Sequence, residues 1–204
     1  MLILALDCCG ASCGVGVWRD GCLLVQKQEY MERGQDARLM PMVVATLAQA
    51  GCGFSDFDRI AVTRGPGSFT GTRVGLAAAR GIGLAAGKPV IGIDRFAVYG
   101  ALCAKADRNL LVVIGSKRAE LFCKFFPATG EAHDACMMNE EEIRVFVAAH
   151  PDTDRTGDIA EPKDDRILAA CAKLAAEADA QNPDFMPRPL YLRAPDVTVV
   201  KTDR

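Results

Sequence analysis

The sequence has little of what nucleic-acid binding or metal chemistry normally requires. Its 204 residues contain only two histidines, and its charges nearly cancel, with 24 Lys and Arg against 26 Asp and Glu. A protein that binds nucleic acid without a partner usually has more basic than acidic residues, and the excess positive charge neutralises the phosphates. We therefore expect any contact with nucleic acid to depend on a partner. The histidines, His133 and His150, are far apart in sequence and predict no hydrolytic metal site.

The sequence also has no long apolar run and no CxxC pair. The apolar run after Met1, residues 2–6, stops at Asp7 and is too short for a signal peptide or a transmembrane helix. The nine cysteines are odd in number, which favours reduced thiols over a disulfide framework. We therefore expect a cytoplasmic protein without membrane contact, in which Cys8, Cys9 and Cys13 behave as small buried hydrophobes.

Hydrophobic patterning predicts an α/β protein. The predicted strands are 2–6, 13–18, 22–26, 58–63, 90–93, 110–114 and 121–126. The predicted helices are 40–50, with Pro41 in its first turn, 69–86, 95–106, 139–150 and 166–180, and a polar loop is predicted over 152–165. This order favours mixed sheets flanked by helices. We place a boundary near residue 95, which divides the chain into segments 1–95 and 96–204.

A glycine-rich turn, Gly65-Pro66-Gly67-Ser68, lies between a predicted strand and a predicted helix. Ser68 or Thr70 can cap the helix, and the free N–H groups at that end suit an anion. It is not a Walker A loop, because Thr72 occupies the place of the lysine. A structural turn and a phosphate contact both fit this pattern. The candidate nucleotide or anion contacts are Asp7, Gly65, Gly67 and Ser68.

Two helices are unusually rich in glycine or in apolar residues. In helix 69–86 small residues recur every four positions, and each interior glycine costs roughly 1 kcal/mol against alanine. Because of this cost, we expect the glycines to allow two close contacts of the helix backbone. One is with the sheet on which the helix packs, and the other is with a second helix that crosses it. Helix 40–50 has almost no polar face, so either it is central in the fold or its outer face meets a partner, and for a domain of this size we favour the partner. The candidate partner-interface residues are Leu39, Met42, Val43, Leu47, Gly71, Val74, Gly75, Ala78 and Ile82.

Catalytic patterns are absent from the sequence. It contains no HExxH and no GxSxG, and no Cys–His arrangement can be read from it. We therefore predict no catalytic residue, no metal and no required cofactor.

Three segments resemble one known family closely: the opening LILALD, RGPGSFTGTRVGLAAARGIGLA at 64–85, and KPVIGI at 88–93. On these the chain is identified as a member of the TsaB (YeaZ) family, with the strong resemblance covering residues 1–95. In the second half, KRAELFCKFF at 117–126 and PRPLYLR at 187–193 are similar to family segments. A histidine near Gln35 and an Asp-Ala pair near Gly115, both common in the family, are missing here.

The resemblance implies an actin-like fold of the sugar kinase and Hsp70 superfamily, built from two related subdomains. It also implies a non-catalytic subunit for making N6-threonylcarbamoyladenosine at position 37 of tRNA. The implied partners are the catalytic paralogue TsaD, bound through a bundle of two helices from each protein, and the ATPase TsaE. The resemblance further implies that this protein contacts tRNA only as part of the complex. A weak nucleotide contact would lie at the complex interface.

Other hypotheses stay open. In the resembled family, the paralogue TsaD binds a metal through two histidines on its first helix. The corresponding segment of this chain, 34–39, contains no histidine, so we do not expect that metal site here. An independent ATP-binding phosphotransferase on the same fold is one alternative, and a metallopeptidase is another. We expect the free chain to be a homodimer, because unshielded apolar helices tend to self-pair.

Overall fold

The computed structural model describes residues 1–116, 119–159 and 165–192. Lys117, Arg118 and Arg193, which belong to the two similar segments of the second half, lie outside this range. The strands are β1 (Leu2–Asp7), β2 (Ser12–Arg19), β3 (Cys22–Tyr30), β4 (Arg59–Thr63), β5 (Val90–Ile93), β6 (Asn109–Ile114), β7 (Leu121–Phe126), β8 (Cys136–Met138) and β9 (Thr153–Thr156). The helices are α1 (Gln35–Ala50), α2 (Phe69–Ala86), α3 (Arg95–Cys103), α4 (Glu140–Ala149) and α5 (Ile167–Glu177), with short 3-10 turns at Phe54–Asp56 and Pro183–Phe185.

The first sheet has the strand order β3-β2-β1-β4-β5. Strands β1, β2 and β3 are antiparallel neighbours, whereas β1, β4 and β5 run parallel. Because the carboxyl ends of parallel strands meet at one edge, Asp7, Thr63 and Ile93 end at the same edge of this sheet. The second sheet has the order β8-β7-β6-β9, with β6 antiparallel to β7 and parallel to β9. The prediction of mixed sheets flanked by helices is confirmed.

The elements stack in five layers. Helices α1 and α2 cover the face of the first sheet that carries Leu4 and Leu6. Helix α5 covers the opposite face, packing with α3 and β6 in one continuous apolar core. Helix α4 covers the far face of the second sheet through Ile143. The predicted boundary near residue 95 stays a prediction, and α5, from the second half of the sequence, packs on the first sheet.

Helix α1 begins at Gln35, five residues before its predicted start, so Pro41 lies inside the helix and not in its first turn. Proline lacks the N–H that would bond the carbonyl four residues earlier. Pro41 and Ala37 are both exposed, so water can satisfy that carbonyl. At the other end, Gly51 stops α1 in a left-handed conformation.

Two short strands, β8 and β9, were not predicted. The predicted loop over 152–165 was wrong at Thr153–Thr156, which forms β9. Its polar sequence hides the strand from hydrophobic patterning, and β9 tolerates these residues because it is the edge of its sheet. Asp154 there accepts hydrogen bonds from Lys105 and Arg108. Among the described residues, no helix combines the length and the hydrophobicity needed to span a bilayer.

Candidate functional site

The glycine-rich turn joins β4 to α2 at the carboxyl edge of the first sheet. Gly65 and Gly67 both have positive φ, at 98° and 153°, which only glycine adopts without strain. The Ser68 hydroxyl accepts a hydrogen bond from the Gly71 N–H at 3.2 Å, and the Ser68 N–H donates to the Cys9 carbonyl at 2.7 Å. Ser68 is therefore the cap of α2, one of the two predicted choices.

Asp7 lies beside this turn and is 1% exposed. Its Oδ1 accepts a hydrogen bond from the Thr63 hydroxyl at 2.5 Å and one from the Cys9 N–H at 3.2 Å. The structure thus brings the four predicted anion or nucleotide contacts, Asp7, Gly65, Gly67 and Ser68, to one edge of the first sheet. Whether any ligand binds there stays a prediction.

A buried cation, Arg95, contacts this turn. Arg95, the first residue of α3, donates from Nη1 to Asp158 Oδ2 at 2.9 Å and to the Pro66 carbonyl at 3.3 Å. Its Nη2 donates to the Tyr99 hydroxyl at 3.3 Å. A Cβ on Gly67 would lie 3.2 Å from the guanidinium. Burial alone lowers the pKa of Arg95, but the charge of Asp158 together with the smaller contributions of Tyr99, Asp7 and Cys9 outweighs it, so the pKa is raised and the group stays charged.

Sequence reasoning missed both members of this ion pair. Arg95 directly follows the strand β5 and the capping Asp94, so its position at a strand's carboxyl end was a usable signal. Asp158 gave none, because it falls in a stretch whose polar composition predicts a loop. The two residues are 63 positions apart, and only the fold brings them together.

The thiols around the turn are packed and poorly ionised. Cys9 Sγ lies 3.2 Å and 3.3 Å from the hydroxyls of Thr63 and Thr72. Burial, reinforced by the charge of Asp7, raises the pKa of Cys9 to about 11. Cys8 Sγ lies 3.8 Å from Cys13 Sγ, and this contact together with burial raises the pKa of Cys8. All nine cysteines are free.

Native alkylation is therefore expected to separate the thiols by exposure. We predict that N-ethylmaleimide labels Cys22 and Cys136, which are exposed, and spares Cys9 even at pH 9, because a thiol with a pKa of about 11 stays mostly protonated there. Peptide mass spectrometry measures this, with labelling in denaturant as the control that must reach all nine. Labelling of Cys9 as fast as Cys22 would contradict the prediction.

The two histidines lie in the second sheet's periphery. His133 and His150 both contact the ring of Phe125, with centroids 5.0 Å and 5.1 Å away. His150 also stacks on Phe146 at 4.1 Å. Within the described ranges, no three His, Cys, Asp or Glu side chains are grouped as metal ligands.

The residues chosen from the sequence for the partner interface mostly face inward. Leu39, Met42, Val43 and Leu47 are buried against the first sheet, and so is Ile82. Val74 and Ala78 are only partly buried but pack against the same core. The structure therefore gives Leu39, Met42, Val43, Leu47 and Ile82 a role in the core of the chain, because in a helix with no polar face the sequence does not say which side meets the sheet. Their part in a partner interface stays a prediction. That α1 and α2 carry an interface stays a prediction.

Two of the named glycines are also used inside the chain. A Cβ at Gly71 would fall far inside van der Waals contact of the Cys8 carbonyl oxygen. A Cβ at Gly75 would lie 3.6 Å from both Cys8 Cβ and a methyl of Val62. A Cβ at Gly83 would overlap a methyl group of Val90. Gly71 and Gly83 therefore let α2 pack close to its neighbours, whereas a Cβ at Gly75 would make only ordinary van der Waals contacts.

The opposite sides of α1 and α2 form what we call the outward face. Val44 is 59% exposed and Leu84 is 86% exposed. Its other members are small or apolar exposed residues, namely Ala37, Met40, Ala45, Ala48, Ala77, Gly81 and Ala85. Gly81 differs from the other interior glycines, since a Cβ added to it would meet no heavy atom of the described residues within 4 Å beyond its own turn of helix. Internal packing therefore does not explain why residue 81 is glycine.

Comparisons with known proteins extend over much of the chain. A family model described as "TsaD: tRNA N6-adenosine threonylcarbamoyltransferase" matches residues 29–140. The Escherichia coli "tRNA threonylcarbamoyladenosine biosynthesis protein TsaB" is 34% identical over 124 residues, which are 60% of this chain and 53% of that protein. An uncharacterized Mycobacterium tuberculosis protein is 30% identical over 200 residues, covering 95% of this chain and 92% of that protein.

Solved structures show the same fold. YeaZ from Pseudomonas aeruginosa superimposes with a TM-score of 0.72 at 22% identity, covering 94% of this chain and 99% of that one. This confirms the actin-like fold of two mixed-sheet halves flanked by helices. The chain spans about half the length of the curated TsaB relatives that it matches.

Proposed function

We propose that this chain, which belongs to the TsaB (YeaZ) family and is a paralogue of TsaD, is a non-catalytic subunit that binds and activates TsaD. The activity it supports is the formation of N6-threonylcarbamoyladenosine at position 37 of tRNA. The supporting observation is the outward face of α1 and α2, with Gly81 in it. An exposed glycine inside a helix costs roughly 1 kcal/mol against alanine, and a partner helix that approaches closely gives a reason to keep it.

The composition of the outward face supports a protein partner. Its members are alanine, glycine, valine, leucine and methionine, and the same helices also expose Arg38, Arg73 and Arg80. Small residues allow two helix axes to approach closely. Contiguous apolar surface of this kind usually marks an interface. Met40 adds a flexible side chain that adapts to a partner surface.

The glycine-rich turn supports a non-catalytic role. Its thiol, Cys9, is held protonated by burial, and its cation, Arg95, is neutralised by Asp158. The carboxylate of Asp7 is engaged by Thr63 and by the backbone. Asp7, Cys9 and Arg95 are also almost fully buried, so none of these groups is presented to a substrate. A TsaE-like ATPase as a further partner, tRNA contact through the complex and a weak nucleotide contact at the interface complete the proposal.

Co-purification with the TsaD of the same organism tests the proposal. The two proteins are co-expressed with a tag on TsaD alone, and the complex is sized by gel filtration. We expect a stable complex, and we expect TsaD to modify tRNA in a reconstituted reaction only when this chain is added. A TsaD that works at the same rate without this chain would contradict the activator role.

The free chain is expected to be a homodimer at micromolar concentration, because an uncovered outward face can pair with its copy. Light scattering measures the mass. Val44→Glu places a charge in that face and should give a monomer. Val145→Glu is the matched control, since Val145 on α4 is also 60% exposed, and it should leave the dimer intact. A wild-type monomer would contradict the prediction.

A further inference from the structure

The ion pair of Arg95 and Asp158 joins the two sheets. Arg95 begins α3 directly after β5 of the first sheet, and its side chain is 2% exposed. Asp158 follows β9 of the second sheet, and its Oδ1 accepts a 2.6 Å hydrogen bond from the Gly115 N–H at the end of β6. Asp158 is therefore fixed to the ends of two parallel strands, and its remaining oxygen holds Arg95 at 2.9 Å.

The same guanidinium also fixes the glycine-rich turn. Nη1 reaches the Pro66 carbonyl, and Cβ atoms at Gly10 and Gly67 would each lie 3.2 Å from the guanidinium nitrogens. Gly10 thus leaves room for the cation, whereas a Cβ at position 67 would overlap the Cys9 carbonyl oxygen before it reached the guanidinium. Arg95 contacts three separate parts of the chain: the turn before α2, Tyr99 on α3, and Asp158 beside the second sheet.

We propose that Arg95 and Asp158 form an internal clamp that holds the carboxyl edges of the two sheets together. The clamp fixes the turn from which α2 starts, and so it ties the second sheet to the position of that helix. It is independent of the proposed partner, because every group in it belongs to this chain.

The buried charge of Arg95 distinguishes this clamp from a side chain that only packs in the core. An apolar side chain would fill the same space without the desolvation penalty of a buried ion. In the described part of the chain, Nε of Arg95 has no hydrogen-bond partner, so the cation is held by its Nη atoms alone. A buried charge in this position is stable only while its counter-ion is in place, and this makes the two edges depend on each other.

Hydrogen exchange of the free chain tests the clamp. The variants are Arg95→Met, Asp158→Asn and the double variant. Arg108→Met is the control, because Arg108 pairs with Asp154 in a half-buried bridge that involves neither Arg95 nor Asp158. The clamp predicts that Asp158→Asn speeds exchange at least tenfold in the glycine-rich turn, although the substitution lies beside the other sheet. Arg95→Met should speed exchange on both edges, and Arg108→Met on neither.

The double variant separates the ion pair from a general loss of packing. In the Arg95→Met background, Asp158→Asn should change the denaturant midpoint little, because the pair is already broken. If the two single effects simply add, or if Asp158→Asn speeds exchange only near residue 158, the clamp is refuted. If Arg95→Met does not fold, the Asp158→Asn variant alone still tests the clamp, through the rate of amide hydrogen exchange in the glycine-rich turn. Since no partner is present, these outcomes are independent of whether TsaD binds.

Discussion

Gly71→Ala is expected to destabilise the free chain by about 3 kcal/mol, the upper range for inserting a group into a packed site. The added Cβ would overlap the Cys8 carbonyl oxygen, which is backbone and cannot rotate away. Either α2 or the end of β1 must shift, although alanine is the better helix former. For a domain of this size the loss corresponds to a fall in melting temperature of roughly 10 °C.

Gly81→Ala is the control for that measurement, because it is the same substitution in the same helix. Its Cβ enters open space, so only helix propensity changes and the free chain should gain about 1 kcal/mol. Thermal melting of both variants checks the pair. Equal effects of the two substitutions would contradict the assignment of Gly71 to the sheet side and of Gly81 to the outward face.

Gly81→Leu is expected to weaken binding to TsaD at least about 100-fold, which is roughly 3 kcal/mol of binding free energy. A leucine at the point of closest helix approach would push the partner helix away. The free chain should stay folded, since nothing in the described residues lies within 4 Å of the new Cβ beyond its own turn of helix. Isothermal titration with purified TsaD measures the affinity.

Val145→Leu is the matched control for Gly81→Leu, because it also enlarges an exposed apolar position on a helix. Val145 lies on α4, on the far side of the second sheet. It should leave the affinity for TsaD within a factor of about two, a free-energy change of less than roughly 0.5 kcal/mol. If Gly81→Leu binds TsaD with unchanged affinity, α2 is not part of the interface.

Much of the fold was predictable because its elements carry strong local signals. The β1–β2–β3 meander has buried or alternating strands with a turn at Asp20-Gly21, and left-handed glycines stop α1 and α2. The cap of α4 was also predictable, because Asn139 is followed three residues later by Glu142, and the two form the reciprocal hydrogen bonds of a capping box. Strand β9 was not, because an edge strand of polar residues has no hydrophobic pattern.

The candidate interface shows where sequence reasoning stops. The cost of glycine in α2 correctly predicted that the sheet side uses bare backbone, as Gly71 and Gly83 show. The largest apolar residues were then assigned to the partner, whereas the structure buries Leu39 and Met42 and exposes Val44 and Leu84. A helix that is apolar all round has no pattern that orients it. Its orientation comes from packing on the sheet, which only the tertiary structure supplies.

Hydrogen exchange of the wild-type chain, alone and bound to TsaD, tests the central claim most directly. If the outward face is the binding surface, peptides within 36–49 and 73–86 should exchange more slowly in the complex, because binding suppresses the local opening of α1 and α2. Peptides of α4 within 140–149 should be unchanged. Protection of α4 with unchanged exchange in α1 and α2 would contradict the account and place the interface on the second sheet.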